Sequence, residues 1–545
     1  MKNWVWRVII TFFVLFSFVP TGYELLRQND LHPDRQFELV HNYYTDYNFY
    51  LSRIRQGVEG NLLVHEKYTS EPHSGSLFQI VYLAMGWVGD FLTVPWDRPG
   101  DIYHVARVVF AFLVLALIVE FCKQTLGKLT SAWWTLIGFL LAVTASTWPK
   151  LVLEFDGWRF GGYMPWFTMM DSLQRITFLP HILIGQAIMI FLIIAVASRK
   201  TLARAGNWIF LGFLACVLCI MYPPGLIVVA VTCAYLWIFD RIFWPRVVIG
   251  FMSVPAIVYT LLMVTIYPWK RLVEFDVLNP LAFNLWEYIL AVGPILPLGL
   301  IGLVVALFKK ETALKSAMAW ILAFFTIFIG FHFIPQQHPL RFAETLPHVP
   351  LAILTVYLFV QIARIRFRVG KTRIHLGYIA SVIPIVLILT GVGIMYSSWL
   401  WQRDFTDHKI RASLPLVPSG SYVMYPLKDF IAGMTYLRAT TPRDSVVLSM
   451  QTTGNYIPVY AGNTVYYGHA NTVKYEEKKV AVESFFAGTM DQSTALAWFH
   501  GARISYIYFG PQEAEVANIP ALDTIYPFLQ PVYTNAHVVI YRVNE

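Results

Sequence analysis

SGSLFQIVYLAMGWVGDFLTVPW, residues 74–96, is apolar enough to enter a bilayer, yet Gly75, Gly86, Gly89, Asp90 and Pro95 punctuate it. Its reading decides on which side of a membrane every later loop falls. Eleven less ambiguous apolar stretches surround it, near 5–23, 102–122, 132–148, 179–198, 207–222, 224–240, 247–267, 285–308, 317–334, 346–363 and 376–399. Each approaches the ~20 residues needed to cross a hydrocarbon core. With the N-terminus inside and 74–96 not crossing, five basic clusters fall inside. They are Lys123/Lys128, Arg199/Lys200/Arg204, Arg241/Arg246, Lys309/Lys310/Lys315 and Arg364/Arg366/Arg368/Lys371/Arg373. If 74–96 crosses, all five face outward, against the positive-inside bias. The sequence therefore predicts about 11 spans, with 74–96 as a re-entrant or interfacial helix on the outer face. The competing solution keeps 74–96 as a span and turns the N-terminus outward, against Lys2 and Arg7. Residues 8–19 resemble the core of a signal peptide, but no small-x-small site follows, so an uncleaved first span is expected.

Composition agrees. The chain has 545 residues, 57% hydrophobic and 16% aromatic, with 14% charged against roughly 25% in soluble domains. The ~10-residue alternating segments of a barrel are missing. The fold class is an α-helical polytopic membrane protein with a C-terminal exported α/β domain. The net charge of +8 follows from the basic loops, so nucleic acid is not an expected partner. Cys122, Cys216, Cys219 and Cys233 all lie in or beside apolar spans and read as small buried side chains.

Two domains follow. Residues 1–401 form the transmembrane domain, with 24–101 as its first outer loop. Residues 402–545 read as an extracytoplasmic α/β domain. Within the latter a helix at 428–438, a strand at 444–449, a helix at 474–487, and a helix–turn–strand at 495–510 predict a small, largely parallel sheet.

With the connectors inside short and basic, chemistry belongs to the outer loops. In the first, Asp46, Tyr50, Arg53 and Gly57 are spaced to share one helix face, among Tyr43, Tyr44 and Tyr47. Asp46 also suits a helix N-terminus. Glu71 and His73 follow in Thr69-Ser70-Glu71-Pro72-His73-Ser74-Gly75, as loop caps or acceptor contacts. In the loop 149–178, Asp171, Arg175 and His181 stand at the membrane boundary, where ionisable groups are costly and either paired or functional. An Asp171–Arg175 i,i+4 pair is the plain reading. In the hairpin stretch 331–344, Arg341 with His332 and His338 suits a phosphate or diphosphate, and a snorkelling arginine is the plain alternative. Walker loops, G-x-S-x-G, H-E-x-x-H and paired-cysteine metal motifs are all missing.

The order of a first span, an outer loop with an acid leading an amphipathic helix, an interfacial helix, many spans with basic inner loops, and a final α/β domain resembles the GT-C superfamily of membrane glycosyltransferases. The matching residues are Asp46-x-x-x-Tyr50, Thr69 to Gly75, Pro442-Arg443-Asp444-Ser445-Val446-Val447-Leu448, Ile457-Pro458-Val459-Tyr460-Ala461-Gly462-Asn463 and Tyr466-Tyr467-Gly468-His469. The resemblance implies a sugar donor carried on polyprenyl phosphate or diphosphate, a lipid bilayer, and a glycan, lipid or protein acceptor. It makes Asp46 the catalytic acid of the first loop. Arg341, His338 and Arg175 then bind the donor phosphate. Tyr50, Arg53, Glu71, His73, Asp171 and His181 become supporting or acceptor-side residues. Tyr47 and Asn48 follow Asp46 where the family often has a second acid. A divalent cation, Mg2+ or Mn2+, would therefore need Glu154, Asp156 or Asp171 to complete its site. Tyr466, His469 and Asn471 are expected either at the acceptor or in surface packing. A transporter or flippase of a lipid-linked or polymeric glycan, or a non-catalytic membrane assembly factor, are the readings that compete with an enzyme.

Overall fold

Each of the eleven apolar stretches is helical. The computed structural model describes residues 2–95, 97–334, 337–369, 372–375, 377–412, 424–517, 519 and 521–544. Of the residues named above, Trp96 and Lys371 lie outside the described residues. Among the described residues, six helices are long and apolar enough to cross a membrane: Pro99–Lys128, Pro180–Ala197, Pro223–Asp240, Trp244–Met263, Thr312–Phe333 and Ala380–Arg411. Three helix pairs pass the same test as bent units, which raises the number to nine. They are Asn3–Ser17 with Val19–Asp30, bent by 48°, Leu285–Val292 with Ile295–Phe308, bent by 81°, and Pro339–Thr345 with His348–Ala363, bent by 61°. The sharpest bend has a local cause. Gly293 takes a φ of 80° and lies so close to the Ser146 carbonyl that a Cβ there would sit 1.9 Å from its oxygen. Pro294 follows and lacks the amide that would continue the helix.

Ala132–Thr144 and Ala205–Met221 are shorter apolar helices, as is Ile80–Phe91 within the 74–96 stretch. At 12 residues the last is about 18 Å long, against the ~30 Å of a hydrocarbon core.

The chain divides into two compact units. One comprises Met1–Pro20, Val105–Leu261 and Asp276–Gln402; the other comprises Thr21–His104, Leu262–Phe275 and Arg403–Glu545. The first unit carries two hairpins, β1 (Lys150–Glu154) with β2 (Gly157–Gly161), and β3 (Arg366–Val369) with β4 (Thr372–His375). The first of these occupies what the sequence shows as a Gly-rich aromatic loop.

The second unit holds a five-stranded sheet of β5 (Val446–Leu448), β6 (Thr464–Val465), β7 (Ile504–Phe509), β8 (Leu529–Thr534) and β9 (Val539–Val543), in the order β6-β5-β7-β9-β8. Helices Lys428–Thr440, Tyr475–Phe486 and Gln492–Ala502 fall where the sequence places them. The sheet is mixed rather than largely parallel. β5 runs parallel to β6 and β7, while β9 is antiparallel to both β7 and β8. The reason is a C-terminal hairpin whose turn is tied by Asn535: its Oδ1 accepts from the amides of His537 at 3.0 Å and Val538 at 2.8 Å. Asn in this role offers the backbone a local partner.

Two first-loop helices complete the second unit, Tyr44–Val58 and Ile80–Phe91. They meet at glycines. A Cβ on Gly57 would lie 2.1 Å from the Leu83 carbonyl oxygen, and one on Gly86 would lie 2.1 Å from that of Ile54. Any side chain there would force the backbones apart.

Candidate functional site

The face Tyr50–Arg53–Gly57 predicted from spacing exists, and it packs on protein. Tyr50 stacks on Tyr82 with ring centres 4.5 Å apart. Arg53 is fully buried; it donates to Glu66 at 2.6 Å and to Gln79 at 3.1 Å. Its guanidinium also lies over Phe49, 3.6 Å from the ring centre. A buried cation without such partners would be costly. Tyr44 and Tyr47 are buried, and only Tyr43 of the expected aromatic collar is well exposed. Burial pushes the Tyr44 phenol up to about 12.

Asp46 differs from its neighbours. Its carboxylate sits in the first turn of Tyr44–Val58, where the helix dipole favours negative charge. Its side chain is 46% exposed, and its single ionisable partner among the described residues is His469 Nε2 at 3.8 Å. No hydrogen bond engages it among those residues. His469 itself is buried. Its ring stacks on Phe49, 4.6 Å between centres at 16°, and tilts against Tyr68 at 5.3 Å. Its Nδ1 accepts from the Asn471 amide at 3.1 Å. The Thr472 hydroxyl donates to the Tyr68 carbonyl at 2.7 Å, and Arg271 donates to the Ala470 carbonyl at 2.9 Å. Two contacts thus tie the loop that carries the imidazole to other segments. Asn48 ties the helix to the C-terminal segment through Asn455, at 2.9 Å.

Glu71 and His73 serve the first loop itself. Burial pushes the Glu71 carboxyl up, but Lys478, paired with it at 2.7 Å, and the Thr69 hydroxyl outweigh this and bring it below the usual range. His73 donates from Nδ1 to the Glu71 carbonyl at 2.8 Å and accepts the Glu66 amide at Nε2 at 2.9 Å, which defines its tautomer. Beside them opens a polar cleft of about 670 Å³, lined by His65, Lys67, Thr69, Asp444, Ser445 and Arg503 among others. Burial, with His73 and Lys67 nearby, holds the His65 imidazole below its ordinary value.

In the first unit the predicted residues are engaged structurally. Asp171 accepts from the amides of Leu173 at 2.8 Å and Gln174 at 3.2 Å, capping Ser172–Ile176. It also accepts from the Gln174 amide group at 2.9 Å and from the Ser398 hydroxyl. The expected Asp171–Arg175 pair does not form. Arg175 is buried and turns to main-chain carbonyls instead, chiefly Ala145 at 2.7 Å. The end of Ala132–Thr144 leaves carbonyls without helical partners, and the guanidinium satisfies them. Arg341 pairs with Asp276 at 3.0 Å and Glu344 at 3.7 Å, so a phosphate there would compete with two carboxylates. His338 caps Pro339–Thr345 through Nδ1 and meets the edge of Phe283. His181 is the second residue of Pro180–Ala197. Glu154 ends β1, and Asp156 pairs with Arg159 at 2.6 Å. Among the described residues no group of three or more His, Cys, Asp or Glu side chains converges as a metal site.

Sequence reasoning missed Glu38. This buried carboxylate accepts from the hydroxyls of Tyr456 at 2.7 Å and Tyr460 at 2.8 Å, and burial pushes it up. It also missed the pairing of His469 with Asp46. The motif Tyr466-Tyr467-Gly468-His469 was visible, but 423 residues of separation hid its partner.

The helices and the sheet define a polytopic membrane protein with a C-terminal sheet domain. No family model matches the sequence, and no curated protein matches it. Solved structures do match its fold. The archaeal oligosaccharyltransferase AglB from Archaeoglobus fulgidus, in complex with an inhibitory peptide and a dolichol-phosphate, is similar at TM-score 0.50 and 11% identity, over 100% of this chain and 75% of its own. ArnT from Cupriavidus metallidurans in the apo state is similar at 0.50 and 11%, over 98% of each chain. The arabinofuranosyltransferase AftD from Mycobacteria is similar at 0.54 and 12%, over 100% of this chain and 42% of its own. In fold, this chain is similar to all three of these structures.

Proposed function

We propose that the protein is a membrane glycosyltransferase that moves a hexose or pentose from a polyprenyl-phosphate-linked donor to an extracytoplasmic acceptor. One observation carries this reading: in a chain that resembles the GT-C superfamily in fold, the first-loop acid Asp46 stands at a helix N-terminus with its carboxylate open. The complex of AglB with a dolichol-phosphate supports a lipid-linked donor. The protein sits in the plasma membrane with eleven crossings, its N-terminus cytoplasmic and residues 402–545 extracytoplasmic. The apolar helices belong mainly to the unit Met1–Pro20, Val105–Leu261 and Asp276–Gln402, while the first loop with Asp46 belongs to the unit that carries the C-terminal sheet. A cysteine at exposed Val480, in a background without the native four, should react from outside the cell.

The step is a single inverting displacement. The acceptor oxygen forms a bond to the anomeric carbon, and the bond from that carbon to the phosphate oxygen breaks. Its electron pair leaves with the phosphate, and the acceptor proton passes to Asp46. General-base help of this kind gives ~10²–10⁴-fold. Arg341 with His338 is assigned to the donor phosphate, where charge grows most in the transition state, and the phosphate there must displace Asp276 and Glu344 from the guanidinium; Arg175 is already held by main-chain carbonyls. Tyr50 and Arg53 support the Asp46 helix. Glu71, His73 and the polar cleft beside them lie on the acceptor side, and Asp171 and His181 support the membrane-boundary loop.

The test uses the full chain in nanodiscs with synthetic undecaprenyl-phosphate hexoses and pentoses and a cell-envelope extract as the source of acceptor, reading release of undecaprenyl phosphate. Wild type releases it and Asp46→Asn does not. A transporter or assembly factor would leave the donors intact.

A further inference from the structure

His469 has a feature that its loop position does not require. Its Nδ1 is occupied by the Asn471 amide, so the neutral ring carries its proton on Nε2, the atom that faces Asp46 at 3.8 Å. The ring cannot swing away. It is buried, stacked on Phe49, and its loop is held by Thr472 and Arg271. The remaining titratable or charged groups around the pair are Tyr44 on the same helix turn, Tyr68 against the imidazole, Arg53 over Phe49 and Tyr68, and Arg271. None of them offers a donor aimed at Asp46 among the described residues.

We propose that His469 is the positioning residue of Asp46: its Nε2–H binds one carboxylate oxygen and leaves the other free to receive the acceptor's proton. The inference rests on Asp46 being the base. The separation is 3.8 Å, and rotation of the half-exposed Asp46 side chain brings the pair into hydrogen-bond range, in the free protein as in the loaded one. A hydrogen bond to the charged form stabilises that form. Removing the donor should therefore leave Asp46 protonated to higher pH.

Two variants separate the donor from the ring. His469→Phe keeps the stacked shape and removes the Nε2–H. His469→Gln removes the ring and keeps an amide donor at a similar reach. The first measurement needs no substrate. Purified full-length protein is treated with dicyclohexylcarbodiimide, which attacks protonated carboxyls, across a pH series, and labelling of Asp46 is read by mass spectrometry. Labelling should persist to higher pH in His469→Phe and follow wild type in His469→Gln. Superimposable profiles for wild type and His469→Phe would overturn the proposal. Should His469→Phe not fold, nitrogen-15 spectra of the histidines decide. The His469 Nε2 signal, assigned by its loss in His469→Gln, must move in Asp46→Asn, and an unmoved signal is fatal. In turnover, His469→Phe should lose about tenfold in kcat with KM within twofold. If Asp46→Asn turns over like wild type, the base reading falls by itself, whatever the labelling shows.

Discussion

From the sequence, Asp46 leads a helix of the first outer loop, and Asp171 stands at the membrane boundary with Arg175 as its plain partner. The structure separates them. Asp171 accepts from two helix amides, a glutamine and a serine. A carboxylate so engaged is a cap. Asp46 has no hydrogen bond among the described residues, and a single imidazole stands at 3.8 Å. Both positions suit the helix dipole, so the dipole does not discriminate. What discriminates is whether the first turn's donors already claim the oxygens. An acid that holds its own helix together has little left for chemistry, whereas one with free lone pairs can take a proton.

The comparison breaks most decisively in turnover. Asp46→Asn should cost about 10²-fold or more in release of polyprenyl phosphate with expression unchanged, while Asp171→Asn, which retains a capping oxygen, should stay within tenfold. Equal losses would mean that both acids are structural, or both catalytic. Next comes the scaffold under Asp46. Arg53→Met strands Glu66 in a site where the two side chains are 0% and 3% exposed. Unfolding measured in detergent should show a loss of about 3–5 kcal/mol. Gly86→Ala presses a methyl into the Ile54 carbonyl, and a loss of about 1–3 kcal/mol is expected from overpacking. In the same assay Asp171→Ala should cost about 1 kcal/mol, as for a lost N-cap.

The smallest effect concerns pH. Glu71 is held below its ordinary 4.5 in the folded chain. Its tie to Lys478 therefore contributes fully above pH 4.5 and fades as pH falls through the lowered value. Protection of the amides over residues 69–73, measured against the intrinsic exchange rate at each pH, should fall in wild type as pH drops below 4.5. In Lys478→Met it should already be low at neutral pH.

The membrane class was legible because it needs only one-dimensional information. Apolar length and the sidedness of basic loops are local sums, and every apolar stretch became a helix. The outline of the C-terminal sheet was legible for the same reason: the strand at Val446–Leu448 and the helices around it follow periodicity. The β8–β9 hairpin went unread because Leu529–Thr534 has little alternation, with burial on one residue only. The phosphate residues show a further limit. Arg341 looked like a lone cation on a hairpin, but Asp276, 65 residues earlier, pairs with it. Arg175 looked like a helix-surface partner of Asp171, but helix-end carbonyls claimed it.

By itself the sequence determined that this chain lives in a bilayer, where its helices fall, and that one acid opens the first-loop helix, because burial of apolar length and helix periodicity act over a few turns. Only the tertiary structure decided which acids are spent and which is open, and that a histidine 423 residues away faces Asp46. Hydrogen-bond partners are chosen by distance in space, and a carboxylate's chemistry depends on which donors reach it first.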